Sequence, residues 1–557
     1  MCNTVLVSDL IDHTLRGSWT PSGAGAAPLP PHALRWLSAR IGLSGDTTPA
    51  PPVSLLDVPD GELPPDARAE LVELVGEHHV LTGATARLGR AGGFSYADLM
   101  RRRTGELALP DAVVLPAEPE QVQRVLEICT RHDVAVVPFG GGTSVVGGVE
   151  ALRGGKSAVL ALDLARLDRL VSVDPVSRIA VLQAGVRAPE AESLLAAHGF
   201  TLGHFPQSYE RATIGGFAAT RSSGQASAGY GRFDEMVAGV RVATPAGEWR
   251  LGTAPASAAG PDLRQLAIGS EGALGVITEV AVRVRPKPTE LRYEALVLDG
   301  WHAGAGAVRA LAQQRVLADV TRLSDVDETA VQLEMSGGMR SRALRTLLRS
   351  RGISEPCMLV LGWESSRGED LRQRRAATLR TLRGFRAVRL GARGGEAWRA
   401  NRFHAPRQRD ALLDLGVCAE TLETATHWSR LSELRSAVRA ALIGALESEG
   451  RAPLVMCHLS HAYETGASLY FTVLAARDDA DPLGQWQRAK AAATDAIAAR
   501  VPGTDLGRGT LSHHHAVGAD HLPWMESEIG RVGAEVLAAA KRAVDPAGIL
   551  NPGKLVR

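Results

Sequence analysis

Apolar positions along the chain follow two periods, and where one gives way to the other marks its organisation. Spaced leucines predict helices over Pro30–Ile41 and Asp66–Glu77, the second with several acidic residues. Ser95–Met100 reads as a short helix running into Arg101, Arg102 and Arg103, a cluster expected to be a solvated helix end. From Pro110 the pattern is βαβ. Ala112–Leu115 is a strand, and Glu118–His132 is a helix with Val122, Val125, Leu126 and Cys129 on one face. Val134–Val137 is the next strand. Ala158–Leu162, Leu170–Asp174 and Ile179–Ala184 follow as strands, and Pro189–His198 as a helix. Val237–Thr244 and Glu248–Leu251 form a hairpin over the turn Pro245-Ala246-Gly247. Farther on, Glu290–Leu298 and Cys357–Trp363 are strand-like, and Gly304–Gln314 and Gly368–Leu382 are helical, the latter with an arginine-bearing outer face.

The strand Val134–Val137 feeds into Pro138-Phe139-Gly140-Gly141-Gly142-Thr143-Ser144. Three glycines after a strand leave backbone N–H groups bare, so the loop can approach a phosphate closely. Neither common phosphate fingerprint fits. The dinucleotide pattern wants an acidic residue about 20 positions on, and here Gly147–Gly148 and more loop follow. The kinase-type P-loop finds Gly155-Lys156-Ser157 for its end but Glu150 where its first glycine belongs. On this stretch alone, a glycine-rich turn without a ligand stays open.

Composition narrows the classes. A chain of 557 residues is too long for one core. Its net charge is +1, its pI about 7.8, which gives no global electrostatic case for nucleic acid. Five lysines against 57 arginines read as the coding bias of a GC-rich, bacterial genome. Cys2, Cys129, Cys357, Cys418 and Cys457 are odd in number and scattered, which suits a reducing compartment. No 18-residue apolar run, secretory pattern or peroxisomal tripeptide is read, so the expectation is a cytoplasmic protein. Lipid substrates, argued below, would allow peripheral membrane contact; a homodimer stays open.

A second loop, GHFPQSYERATIGGFAATRSSG over 203–224, is rich in hydroxyls and small residues, as suits a long cofactor. A third glycine segment, GSEGALGVIT, fills 269–278. With PFGGGTS at 138–144, these stand in the order and spacing of the vanillyl-alcohol-oxidase (p-cresol-methylhydroxylase) type of flavoenzyme, which the chain resembles. The resemblance implies an FAD domain that is not a Rossmann fold. It puts the pyrophosphate on Gly140–Ser144, flanked by Pro138 and Phe139. Gln207, Ser208, Thr213, Thr220, Arg221, Ser222 and Ser223 would continue the FAD site. Glu271, Gly272, Ala273, Leu274, Gly275, Val276 and Ile277 would complete it. Many such relatives attach FAD through a histidine or cysteine near the glycine loop. Thr143 and Ser144 are no such nucleophiles, so FAD is expected to be non-covalent.

From about Leu81 to Arg557 the chain also resembles the alkyldihydroxyacetonephosphate synthases. Four separated motifs carry this: Arg322 in RLSD; Arg409-Asp410 followed by Glu420-Thr421-Leu422-Glu423-Thr424; Tyr463, Gly466, Ala467, Tyr470 and Phe471; and His513-His514-His515 before Val517-Gly518. The resemblance implies Arg322 and Arg409 as substrate-binding residues, with Tyr470 and His513–His515 catalytic. The implied reaction replaces the acyl chain of acyl-dihydroxyacetone phosphate by a fatty alcohol, through an adduct at flavin N5. It gives an ether-lipid precursor without net redox. Its partners are a lipid phosphate and a fatty alcohol, with no metal. His458 stands where animal members carry arginine, and the tail GILNPGKL resembles flavin 2-hydroxy-acid dehydrogenases.

The chemistry asks for such residue types. Arginine's planar fork suits a phosphate monoester. A tyrosine, with ordinary pKa near ~10, needs a cationic neighbour to act as a base at neutral pH. The three histidines are the expected source of that charge. Two alternatives remain. A 2-hydroxy-acid dehydrogenase would hold a divalent metal on His458, His461 and one of His513–His515, though the G-D-G-N segment usual there is absent. A non-catalytic lipid binder would need no joint Tyr470 and histidines. The expected fold is α+β. A largely helical N-terminal extension (1–95) precedes an FAD domain of two α/β subdomains (96–288). An α/β cap (289–500) follows, then a C-terminal segment returning to the FAD site (501–557).

Overall fold

The computed structural model describes residue 19 and residues 29–43, 47–51, 55–448, 450–501, 503–504 and 506–556. Cys2 and the segment read above for a secretory pattern lie outside these residues. Three main sheets organise the chain. The first runs Val80–Leu81, Ala112–Val114, Ala158–Asp163, Val134–Phe139, with the last three strands parallel. The crossover helix Pro119–Arg131 buries Val122, Val125, Leu126 and Cys129, as its periodicity predicts. It packs with Leu71 and Val75 of the helix Pro65–Val75. Within 1–95, Pro65–Val75 and Val80–Leu81 add a helix and a strand to the first sheet's core. The second sheet is antiparallel, in the order Leu170–Asp174, Ile179–Gln183, Val276–Arg283, Val237–Thr244, Gly247–Leu251.

The third sheet has seven antiparallel strands: Val388–Gly391, Glu290–Asp299, Pro356–Ser365, Val320–Ser324, Leu454–Leu459, Gly466–Ala476, Val417–His427. Successive side chains of a strand alternate between the faces of a sheet. On one face Leu323, Leu359, Leu361, Val455, Cys457, Leu459, Phe471 and Val473 are buried in one apolar cluster with the helices Trp301–Gln313, Leu431–Leu446 and Pro482–Ala498. Each such side chain contributes about 1.5–3 kcal/mol by leaving water. The opposite face carries Arg322, Met358, Thr421, Met456, His458, Tyr470, Thr472 and Leu474, all of which line a cavity. The helix Pro31–Ile41 covers part of this face, with Leu37 and Ile41 packed among Ala419, Met456 and Leu474.

The basic cluster at 101–103 is a correction to the sequence reading. Arg102 is buried and donates to the carbonyls of Ala91 at 2.8 Å and Gly93 at 3.2 Å. Arg101 pairs with Glu150, and Arg103 with Asp414. This helix end fastens loops together rather than facing water. Cys129, Cys357, Cys418 and Cys457 are free and buried. No helix among the described residues is long and apolar enough to cross a membrane.

Candidate active site

The cavity encloses about 1110 Å³ between the glycine loops and the cap sheet. Pro138–Ser144 lines one end, joined by Gln207, Ser208, Thr213, Thr220, Ser222, Ser223, Glu271, Gly272, Gly275, Val276 and Ile277. Three residues expected there do not line it. Ala273 and Leu274 are buried in the protein behind the loop. Arg221 turns away to the carbonyls of Ile268 and Gln265.

The glycines are needed for close packing. A Cβ on Gly140 would lie 2.4 Å from Thr213 Oγ1, and one on Gly141 would lie 2.2 Å from the Arg211 carbonyl oxygen. Gly272, at φ +77°, would place a Cβ 2.7 Å from Pro138 Cγ. The result is a narrow cleft walled by backbone and hydroxyls. Ser223 Oγ and Gln225 Oε1 are buried in it without a protein partner. An elongated polar ligand with a pyrophosphate fits this donor set. Glu271, itself at φ +53°, is buried and accepts from the amides of Val517 and Gly518, both at 2.8 Å. Burial pushes its pKa up to about 7. Asn551 donates to the carbonyls of Glu271 and Gly148, fixing the C-terminal segment to the same loops.

The cap sheet supplies the opposite wall. Antiparallel register sets Glu423 and His458 on either side of Tyr470, each as its direct cross-strand partner. Tyr470 stacks on His458 with ring centroids 4.7 Å apart, and on His514 at 5.9 Å. Arg409 Nη1 lies 3.7 Å from Glu420, and Arg409 Nε is buried without a protein partner. Arg322 Nη2 lies 2.7 Å from Glu328 Oε1 and 2.8 Å from His458 Nδ1. Both sequence-predicted arginines thus reach the cavity, and each already faces a carboxylate. Away from the glycine loops the walls turn apolar, with Leu29, Leu37, Leu333, Met335, Leu344 and Leu390.

The three histidines diverge. His514 and His515 line the cavity; His513 stands behind them. Their turn is held by Glu423, which accepts from Ser512 Oγ and from the amides of His513, His514 and His515, at 2.6–3.0 Å. Burial acts to raise this carboxyl, but the histidines and the Ser512 hydroxyl hold it well below its usual range. Burial depresses His513 and His514, and takes His515 to about 3. The expected cationic neighbour for Tyr470 is therefore missing: burial pushes its phenol up to about 12. At neutral pH this wall holds a protonated phenol and neutral imidazoles.

His461, His513 and His514 offer ring nitrogens within 4.8 Å of one another, a metal-like spacing. His458, weighed above as a ligand, is instead held by Arg322 and Glu328. Sequence reasoning did not single out Glu328, and read Glu420 and Glu423 only as part of a motif. Their roles have no local mark, because their partners lie on other elements of the fold.

Comparison with known proteins agrees with this geometry. A family model described as FAD binding domain matches residues 110–252, and one described as FAD linked oxidases, C-terminal domain matches 287–555. An alkyldihydroxyacetonephosphate synthase of Trypanosoma brucei brucei is 31% identical over 500 residues, covering 87% of this chain and 80% of that protein. A mitochondrial D-lactate dehydrogenase [cytochrome] of Arabidopsis thaliana is 27% identical, covering 80% and 74%. A solved alkyldihydroxyacetonephosphate synthase superimposes with a TM-score of 0.80 at 27% identity, covering 94% of this chain and 92% of that one. The chain thus carries an FAD-binding domain within the fold expected from the sequence. The chain belongs to the alkyldihydroxyacetonephosphate synthase family of FAD-linked enzymes.

Proposed function

We propose that the protein exchanges the acyl chain of acyl-dihydroxyacetone phosphate for a fatty alcohol, making an ether-lipid precursor and releasing a fatty acid. One observation carries this reading: a single cavity joins the FAD cleft, Tyr470, His514 and His515, two arginines and an apolar passage. Bound FAD would supply its ring nitrogen as a covalent handle for the substrate carbon, with no net change of flavin oxidation state over the cycle. FAD is held without a covalent link, since Pro138–Ser144 contains no histidine or cysteine.

The side chains divide the remaining work. Arg409, whose contact with Glu420 is long, turns its fork to the phosphate. Arg322 stays tied to Glu328 and orients His458. The apolar passage takes the acyl or alkyl chain. A neutral imidazole, His514 or His515, accepts the proton from the carbon beside the ketone. Tyr470, protonated at neutral pH, donates to the oxygen that gains charge and takes that proton back when the charge is lost.

A second reading is a 2-hydroxy-acid dehydrogenase with a metal on His461, His513 and His514, favoured by their spacing and by the likeness to the lactate enzyme. The Glu423 oxygens near those rings already accept four donors, which weakens it. The two readings separate in an anaerobic assay on acyl-dihydroxyacetone phosphate with hexadecanol, against a panel of 2-hydroxy acids. The synthase reading expects ether product and fatty acid without lasting flavin reduction. Flavin bleaching by a hydroxy acid, with no ether product, overturns it.

A further inference from the structure

His513 faces away from the cavity, and its surroundings say what it does there. Its Nε2 lies 2.6 Å from the hydroxyl oxygen of Tyr463, and its Nδ1 lies 2.9 Å from His514 Nδ1. Tyr463 is half-buried and borders Arg232, which in turn sits 3.2 Å from Asp234. Three rings and two short hydrogen bonds thus connect the cavity wall to the half-buried Arg232–Asp234 pair. A metal would compete for the same nitrogens, but both ring nitrogens of His513 are already engaged.

We propose that Tyr463, His513 and His514 form a proton relay between the active-site cavity and the surface, with Tyr463 at its outer end. The relay rests on the synthase reading, in which a proton leaves the carbon beside the ketone and later returns. His514 Nε2 takes that proton. The proton on His514 Nδ1 passes to His513 Nδ1, and the one on His513 Nε2 passes to the Tyr463 oxygen. Tyr463 releases its own hydroxyl proton to solvent beside Arg232. One proton enters, one leaves, and every group ends neutral. The reverse sequence reprotonates the carbon.

The physical reason for a relay is the cost of a buried charge. An imidazolium enclosed away from water is expensive unless paired. Burial depresses all three histidines, and the charge of Arg232 acts in the same direction on His461, His513 and His514. A base that kept the proton would sit in this unfavourable state. Passing it on in step avoids that, and the chain of bonds is already formed.

The test is Tyr463→Phe, which keeps the ring and removes the outer end. FAD content and KM should stay within about twofold. The turnover rate and the exchange of the substrate hydrogen with solvent should fall together, by at least about 10-fold. In mixtures of light and heavy water the rate of the wild type should follow a curve, because several protons move in one step. That of the variant should follow a straight line. Unchanged turnover, exchange and curvature overturn the relay, as does a variant that is merely less stable with the same curve. Should wild-type enzyme fail to turn over acyl-dihydroxyacetone phosphate, the synthase reading falls, and the relay is judged on nuclear magnetic resonance of 15N-histidine-labelled protein. Tyr463→Phe should then move the ring-nitrogen signals of His513 and His514 together and leave that of His204 in place. Independent behaviour of the two rings overturns it, and so does a stoichiometric divalent metal bound to them.

Discussion

At the scale of single residues, Tyr470 and Arg409 make the sharpest claims. Tyr470→Phe deletes one oxygen from a ring stacked on His458, so packing and FAD binding should survive. Loss of a proton donor should lower the turnover rate by about 10²–10⁴-fold. Near-normal ether synthesis by a variant that retains FAD would remove the hydroxyl from the chemistry. Arg409→Lys keeps the charge but loses the planar fork. With Glu420 3.7 Å away, a lysine ammonium can pair there as a point charge and leave the phosphate with one partner fewer. Affinity for acyl-dihydroxyacetone phosphate should drop by roughly 10-fold or more, the equivalent of about 1.4 kcal/mol or one charge-assisted bond. Equal affinities in a direct binding titration would take Arg409 out of the phosphate site. Residue types at these positions were legible in the sequence because the motifs name them. Their protonation states were not: the expectation of cationic histidines beside Tyr470 failed because burial, a property of the whole fold, decides which ring keeps a proton.

At the scale of elements, the glycine loop and the cap sheet read very differently in sequence. Val134–Phe139 and its glycines were legible, because a β-branched run ending in three glycines is a local signal. The strands Val320–Ser324, Val417–His427, Leu454–Leu459 and Gly466–Ala476 went unassigned, although they carry most of the candidate substrate wall. Their cavity faces mix arginine, threonine, histidine and tyrosine with methionine and leucine, so simple polar–apolar alternation is blurred where function sits. The register that sets Glu423, Tyr470 and His458 in one row is a long-range pairing with no local mark. The loop supports one prediction of its own. Acid or heat denaturation should release all flavin into the supernatant as free FAD, since 138–144 offers only hydroxyls. Yellow colour remaining with the precipitated chain would show a covalent link, and would direct attention to the cavity histidines.

At the scale of the whole molecule, the buried histidines tie stability to pH, and the sign can be worked out. Burial holds His204 and His515 at about 3 and His521 at about 4. In the unfolded chain each titrates near ~6.5. Between these values the unfolded state binds protons that the folded state refuses, so stability falls as pH drops below about 6.5, by up to ~1.4 kcal/mol per pH unit for each ring. Glu271 works against this. Its folded pKa of about 7 lies above the carboxylate's ordinary ~4.3, so between those values the folded state binds the extra proton and one histidine's contribution is offset. Below about 4.3 the depressed carboxyls of Glu328 and Glu423 join the histidines, and the loss steepens. These three rings against this one carboxyl contribute a slope of about 2–3 kcal/mol per pH unit, a large share of a folding free energy of about 5–15 kcal/mol. The depressed His461, His513 and His514 act in the same direction, and the raised carboxyls of Glu192 and Glu420 against it. Chemical denaturation at pH 8, 7, 6 and 5 should show a nearly flat stability down to pH 7 and a steep fall below 6.5. His204 separates this account from general acid sensitivity, because it does not itself line the cavity but sits behind Ser222, to which it is bonded, edge-on to Phe217 and Phe233. His204→Gln should lower stability at pH 8 and yet flatten the acid limb by about one proton's worth of slope. An acid limb of unchanged slope in His204→Gln, or wild-type stability that stays level from pH 8 to 5, would mean that these rings take up protons in the folded protein as readily as in the unfolded chain.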